Sequence, residues 1–198
     1  MKLKREFYLR DNVVQIAKEL LGKILFTNIN GKISGGIITE TEAYAGVSDK
    51  ASHAFGGRKT KRTEVMYGNG GTAYVYLCYG IHHLFNVITN QKGIPHAILI
   101  RAVKPCEGIN IILKRRNQKL QYRENNTLLN KICTGPGTIS QGLGITVAQT
   151  GTDLLGTKIW IEDRGIVVLK RDIITNTRIG IDYAGADALL PYRFFMKI

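Results

Sequence analysis

The run Ala97–Val103, A-I-L-I-R-A-V, sets one guanidinium in the middle of an otherwise apolar stretch. Apolar residues in that density read as a buried central strand, which commits the chain to a sheet whose faces are covered. A charge inside such a strand is costly unless it is paired, so Arg101 demands a carboxylate from a neighbouring element. Glu40 and Glu42, in T-E-T-E-A-Y, are the candidates.

Those acids open the stretch Thr39–His53, T-E-T-E-A-Y-A-G-V-S-D-K-A-S-H, which gathers carboxylates, an aromatic ring and an imidazole directly behind an apolar strand. In the strand period of two, Glu40, Glu42 and Tyr44 share one face. Two acids and an aromatic make an unusual core face. A Glu set against aromatic rings in a partly dry pocket has its neutral form favoured, so it can serve as a general acid, or as a base where neighbours keep it charged. The plainer alternative pairs either acid with an Arg and leaves Tyr44 to pack.

Along the chain, Asp11–Leu21 has an N-cap residue at Asp11, one apolar face, and Gly22 as a stop, which predicts a helix. A strand at Lys23–Thr27, a turn at Asn28–Gly31 and a returning strand at Ile33–Thr39 form a hairpin, so that the acidic stretch leaves a strand end. Ala45–Asn69 is irregular and too basic for a core. Its Arg58, Lys59, Lys61 and Arg62 beside Gly56–Gly57 suit either phosphate contact or a solvated loop.

Thr72–Tyr79, T-A-Y-V-Y-L-C-Y, reads as a strand that sets Tyr74 and Tyr76 on one side. Tyr79-Gly80-Ile81 tops a hairpin with Leu84–Thr89, which brings Asn86 alongside Tyr76. An aromatic at a hairpin tip of a basic chain suits a wedge that enters a base stack, although all three tyrosines also fit a sheet surface. Pro105 ends the central strand. Helices follow at Glu107–Arg116, Leu128–Cys133 and Thr138–Leu143, with a polar joint at Gln118–Thr127. Later strands fall at Thr157–Glu162, Ile166–Arg171, Ile173–Arg178 and Pro191–Met196. The expectation is one α+β domain over residues 1–198.

Lys and Arg number 28 against 15 Asp and Glu, for a net charge of +13, which favours a polyanionic partner, nucleic acid ahead of a membrane. Cys78, Cys106 and Cys133 are odd in number, far apart and without zinc spacing, which suggests a reducing compartment and no metal. The N-terminus lacks the apolar core of a leader, and no run is long enough to span a bilayer. An intracellular protein is expected, in the cytoplasm and nucleoid of a bacterium or the nucleus of a eukaryote.

T-E-T-E-A-Y, S-H-A-F-G-G-R, Y-V-Y-L-C-Y-G with F-N-V, L-I-R-A-V-K-P, G-P-G and R-I-G-I together resemble the alkyladenine (3-methyladenine) DNA glycosylase family, in its order and over most of the chain. The resemblance implies a curved mixed or antiparallel sheet with flanking helices and a protruding hairpin that enters the DNA minor groove. It implies a monofunctional, monomeric enzyme that flips a damaged purine from double-stranded DNA and hydrolyses its N-glycosidic bond without metal, cofactor or lyase step. Glu42 is then the residue that activates water, held by Arg101. Tyr44 covers one face of the flipped base, His53 and Tyr76 the other, Asn86 forms the wall, and Tyr79 fills the gap in the duplex. Arg58, Lys59 and Arg62 are assigned to the DNA backbone.

The chain departs from the family pattern at Thr138, where a Lys often follows G-P-G, and at Lys61 and Thr63, where Pro and Asn are more usual. Effects on DNA affinity rather than chemistry are expected there. Two other classes fit the residues alone. One is a non-catalytic nucleic-acid module with a stacking hairpin, and the other a metal-dependent nuclease built on Glu40, Glu42 and His53.

Overall fold

A computed structural model of the chain describes residues 1–118 and 131–197. Its centre is a long strand pair, β2 (Lys32–Tyr44) and β5 (His96–Glu107), antiparallel along almost their whole length. Gly36 permits this approach: a Cβ there would stand 2.8 Å from a Val103 methyl. On the far edge of β2, its first half pairs with β1 (Ile24–Ile29), and Glu40–Glu42 pair instead with β8 (Arg193–Met196). Register shifts on either side of Glu40 mark the change of partner, as expected where a strand bends between two neighbours.

With β3 (Thr72–Cys78), β4 (His82–Thr89), β6 (Ile159–Glu162) and β7 (Ile173–Asn176), the strands form one sheet in the order β3-β4-β5-β2-β1-β6, with β7 joined through β8. Every pairing is antiparallel. Among the described residues the helices are α1 (Arg5–Tyr8), α2 (Val13–Glu19), α3 (Ile109–Arg115) and α4 (Pro136–Leu143). Ile16, Leu20, Ile112, Leu113, Ile139 and Leu143 join Ile38, Phe85, Ile98 and Ile100 of the sheet in the main core. Thr41 is fully buried there and donates to Ala17 O of α2. The alternation of β2 therefore aims Thr41 at the core and leaves Glu40, Glu42 and Tyr44 on the other face. No described helix is long and apolar enough to cross a membrane.

The α+β class and the antiparallel sheet agree with the sequence reading, and several boundaries do not. Asn12, not Asp11, caps α2 by accepting from Gln15 N. The first hairpin turns on Asn30 and Gly31 alone, and β2 continues through Tyr44, so the acids lie inside a paired strand and not after its end. Pro105 does not terminate β5. Its missing N–H faces an edge where no named strand pairs, so nothing is lost by continuing to Glu107. Ile166–Arg171 is not a strand: no neighbouring edge receives it, and Val167 is 79% exposed. The polar joint from residue 119 onward and the first half of the helix at Leu128–Cys133 lie outside the described residues.

Strands β3 and β4 form the expected hairpin. Tyr79 and Gly80 both take positive φ, +50° and +73°, and Ile81 N donates to Cys78 O, the pattern of a primed turn whose twist suits the flanking strands. Asn86 lies opposite Tyr74, two residues away from the expected Tyr76, which pairs with Leu84. The Ala45–Asn69 segment is also less solvated than its charge suggests. Asp49, Ala51, Ser52, Ala54, Thr63 and Met66 are buried, and short 3-10 turns at Gly46–Ser48, Phe55–Gly57 and Glu64–Tyr67 fold it back on the sheet.

Candidate active site

The face of the sheet opposite the main core carries a cavity of about 460 Å3. Strand β3 brings Tyr74 and Tyr76 to it, β4 brings Asn86, β5 brings Arg101, β2 brings Tyr44, and the following loop brings His53. The rings contact one another: His53 meets Tyr76 edge-on with centroids 4.6 Å apart, and Tyr76 lies 5.6 Å from Tyr74. Six of the ten residues singled out from the sequence thus line one cavity, counting Tyr79 at its mouth in place of Glu42.

Glu42 lies just behind that lining. Its side chain has no exposed surface, and it is reached through the three groups that hold it. Its Oε1 accepts from Ile179 N at 2.9 Å and stands 3.4 Å from Arg101 Nη1, while Oε2 accepts from the Tyr44 hydroxyl at 2.9 Å. Tyr44, Arg101 and Ile179 all face the cavity, so Glu42 forms its floor from beneath. Burial pushes the Glu42 carboxyl above its ordinary range. The Arg101 guanidinium, the Ile179 N–H and the Tyr44 hydroxyl each oppose that shift without cancelling it, and Glu40 adds to it.

Arg101 meets the demand for a partner twice. Its Nε donates to Glu40 Oε1 at 3.1 Å while Nη1 faces Glu42. Glu40 also accepts from Arg193 Nη1, so it ties two strands together rather than facing the cavity. The two acids therefore differ in kind: one bridges cations, and the other is enclosed.

His53 Nδ1 lies 2.8 Å from the Tyr74 hydroxyl. Burial drives the imidazole down to about 4, with the positive charges of Arg62 and Arg58 adding to the effect, so the ring is neutral near pH 7. Burial pushes the Tyr74 hydroxyl up to about 12, so it stays a donor and His53 Nδ1 accepts. Asn86 is buried, and its amide nitrogen donates to Tyr74 O and Leu84 O.

Tyr79 is 88% exposed at the hairpin tip. Arg58, Lys59 and Arg62 are exposed and lie outside the cavity lining, on the loop beside it. Thr63, expected to affect affinity, is buried. It accepts from Thr60 N and donates to Arg58 O, so it shapes the basic loop from within. Thr138 lines the cavity and donates to Gly135 O at the start of α4.

Sequence reasoning missed one cluster. Arg178 is 5% exposed, and its Nη1 and Nη2 bind the two carboxylate oxygens of Asp49, 129 residues away in the chain. Arg178 belongs to the R-I-G-I motif, but nothing local ties it to Asp49. The expected strand at Ile173–Arg178 stops at Asn176, which frees Arg178 to turn inward. Among the described residues, no three His, Cys, Asp or Glu side chains gather as a metal would require, and Glu40, Glu42 and His53 do not converge.

A buried acid under an aromatic cavity, beside a basic loop in a chain of net charge +13, suits an enzyme that acts on a base of a nucleic acid. Residues 6–198 match the family model of methylpurine-DNA glycosylase, and the chain belongs to that family of DNA glycosylases. It is 46% identical over 197 residues to a protein of Chlamydia felis (strain Fe/C-56), an alignment spanning 99% of this chain and 96% of that one. It is 43% identical over 197 residues to one from Clostridium acetobutylicum, covering 100% and 95%. A relative from Desulfitobacterium hafniense (strain Y51) is 41% identical over 196 residues, covering 99% and 95%. The names of all three place them among the 3-methyladenine DNA glycosylases.

Proposed function

We propose that this protein acts as a monomer of one domain on double-stranded DNA, extrudes a damaged purine nucleotide into the aromatic cavity, and hydrolyses its N-glycosidic bond. The observation that carries the reading is the enclosure of Glu42 beneath Tyr44 and Arg101. A carboxylate has about four acceptor positions, and Ile179 N, Arg101 and the Tyr44 hydroxyl address three of them. The fourth is left for a water. Glu42 takes a proton from that water as its oxygen bonds to C1′, the C1′–N9 bond breaks, and its electron pair leaves with the purine.

The substrate class follows from the lining. An N3- or N7-alkylated purine is cationic, and the electron-rich rings of Tyr44 and Tyr76 favour it over a neutral base. Its glycosidic bond is already weakened, so modest assistance suffices. A deaminated purine such as hypoxanthine needs its leaving group stabilised, and among the described residues the cavity lining holds no carboxylic acid for that, while His53 is neutral near pH 7. The names of the relatives agree with 3-methyladenine as the base released. A panel of duplexes, each with one damaged base and assayed in chelator, tests the reading. Base release with intact strands and abasic sites is expected; phosphodiester cleavage that chelator abolishes would overturn it.

Tyr79 is the wedge that fills the space left by the extruded nucleotide, and its exposed position on a primed turn supports that role. Tyr79→Ser is expected to lower the flipped population by about 1–3 kcal/mol of lost stacking. The loss is largest at a well-paired lesion and smaller at a mismatch, where extrusion costs less. A fluorescent 2-aminopurine beside the lesion reports it; wild-type amplitude with slowed cleavage would place Tyr79 in the chemistry instead.

Arg58 and Lys59 are assigned to phosphates. Binding to undamaged duplex should fall steeply with salt, by about −0.9 in log–log slope for each contact. Replacing both residues with Ala is expected to flatten that slope by about one to two units. An unchanged slope assigns them to solvent.

A further inference from the structure

We infer that the buried Arg178–Asp49 pair is a positioning device for the floor of the cavity, holding the Ile179 N–H on Glu42 and backing the ring of Tyr44. The inference rests on the reading of Glu42 as the base. The pair itself has no exposed side-chain surface to speak of, at 0% for Arg178 and 1% for Asp49. Nη1 of Arg178 also donates to Ala43 O of β2, and Nη2 to Asp187 O. Asp49 in turn accepts from Ala45 N and Ala51 N, which fixes the loop running from Tyr44 towards His53. One guanidinium therefore joins three parts of the chain: the strand carrying Glu42 and Tyr44, the loop carrying His53, and the segment carrying Ile179.

The consequence for the site follows from adjacency. Ile179 comes directly after Arg178, lies on the open side at 51% exposure, and still donates to the fully buried Glu42. An exposed residue keeps such an inward-pointing N–H only if its neighbour is anchored, and the bidentate fork of Arg178 is that anchor. The same guanidinium lies 4.8 Å from the Tyr44 ring and 5.3 Å from that of Tyr192. Tyr44 is thus fixed from two directions, by Arg178 at its ring and by Glu42 at its hydroxyl.

A positioning role and a plain charge effect predict different results. The groups facing Glu42 are Tyr44 and Glu40 on β2, Arg101 on β5, Tyr76 on β3 and the Arg178–Ile179 segment, with Arg193 on β8 acting through Glu40. A base must be ionised, so the base-release rate falls as pH drops through the Glu42 pKa. Losing the Ile179 hydrogen bond raises that pKa and moves the acidic limb to higher pH. Asp49→Asn removes a negative charge, which by charge alone would move the limb down. Arg178→Lys preserves the charge and loses only the fork, which by charge alone would leave the limb in place.

The experiment is the single-turnover rate of base release against pH for wild type, Asp49→Asn and Arg178→Lys, with binding to abasic-site DNA measured in parallel. Both variants are expected to move the acidic limb upward by about one pH unit, since a hydrogen bond to a charged group is worth about that much, while binding changes little. An unmoved limb, or a downward shift in Asp49→Asn, overturns the inference. Should either variant fail to fold, replacing the Ile179 amide with an ester removes the N–H alone. An upward shift in the ester sustains the inference and no shift overturns it. Glu42→Gln, run alongside, separates the two levels: if it keeps wild-type base release, the reading of Glu42 fails and not merely the role of Arg178.

Discussion

Glu42→Gln is expected to reduce base release to background, a loss of at least about 10²–10⁴-fold, while damaged duplex still binds. The substitution suits the site. The Gln carbonyl can take the place of Oε1 and accept from Ile179 N and Arg101, and the amide nitrogen can take the place of Oε2 and donate to the Tyr44 oxygen. Shape and enclosure are kept, and only the ability to take a proton from water is lost. Glu40→Gln should behave differently, since Glu40 bridges Arg101 and Arg193 and does not line the cavity. Single-turnover release and duplex binding, measured for both, check the assignment; complete and selective loss of chemistry in Glu40→Gln would reverse the two roles.

Glu42 has a folded-state pKa above its unfolded value, with burial as the main cause. Its contribution to stability is thus fully present below the unfolded pKa and lost as pH rises through the folded one. On the proposed reading of Glu42 as the base, which must be ionised at working pH, the fold bears that cost for the sake of function. Glu42→Gln is therefore expected to melt at the same temperature as wild type or higher at pH 7 to 8, and a fall of several degrees would contradict the enclosure argued for the carboxylate.

The parts of the molecule legible in the sequence were those whose signal is local. The alternation Glu40, Glu42, Tyr44 survives the structure because a period of two is a property of any strand, wherever its ends fall. The demand of Arg101 for a carboxylate was equally readable, since a charge in an apolar run has few solutions. What failed depended on distant partners. Ile166–Arg171 has the composition of a strand but no edge to join. Pro105 looks like a terminator until the unpaired side of β5 is known. Asp49 lies in the acidic stretch and Arg178 at the end of an expected strand, with nothing local to relate them, and only the fold brings them together and buries them. Thr63 departs from the family pattern in the basic loop, and its hydroxyl holds that loop by donating to Arg58 O.

Arg101→Leu is expected to cost both stability and nearly all activity at pH 7, and the two losses have one cause. The Arg101 side chain is 12% exposed and faces Glu40 and Glu42 together. Glu40 keeps Arg193 after the change, but Glu42 keeps only the neutral Ile179 and Tyr44 donors. Removing one member of a buried pair costs about 3–5 kcal/mol because the other is left uncompensated. Glu42 relieves that cost by holding its proton, which removes the base. Raising the pH should therefore recover part of the rate, as Glu42 is forced to ionise, while the protein becomes less stable over the same range. In the double variant Arg101→Leu/Glu42→Gln the stranded charge is gone, so denaturant stability should rise relative to Arg101→Leu alone without any return of base release. Urea unfolding and pH–rate profiles of the three variants decide the matter. If the double variant differs from wild type by the full sum of the two single changes, Arg101 and Glu42 are not coupled, and the floor of the cavity is not an ion-paired unit.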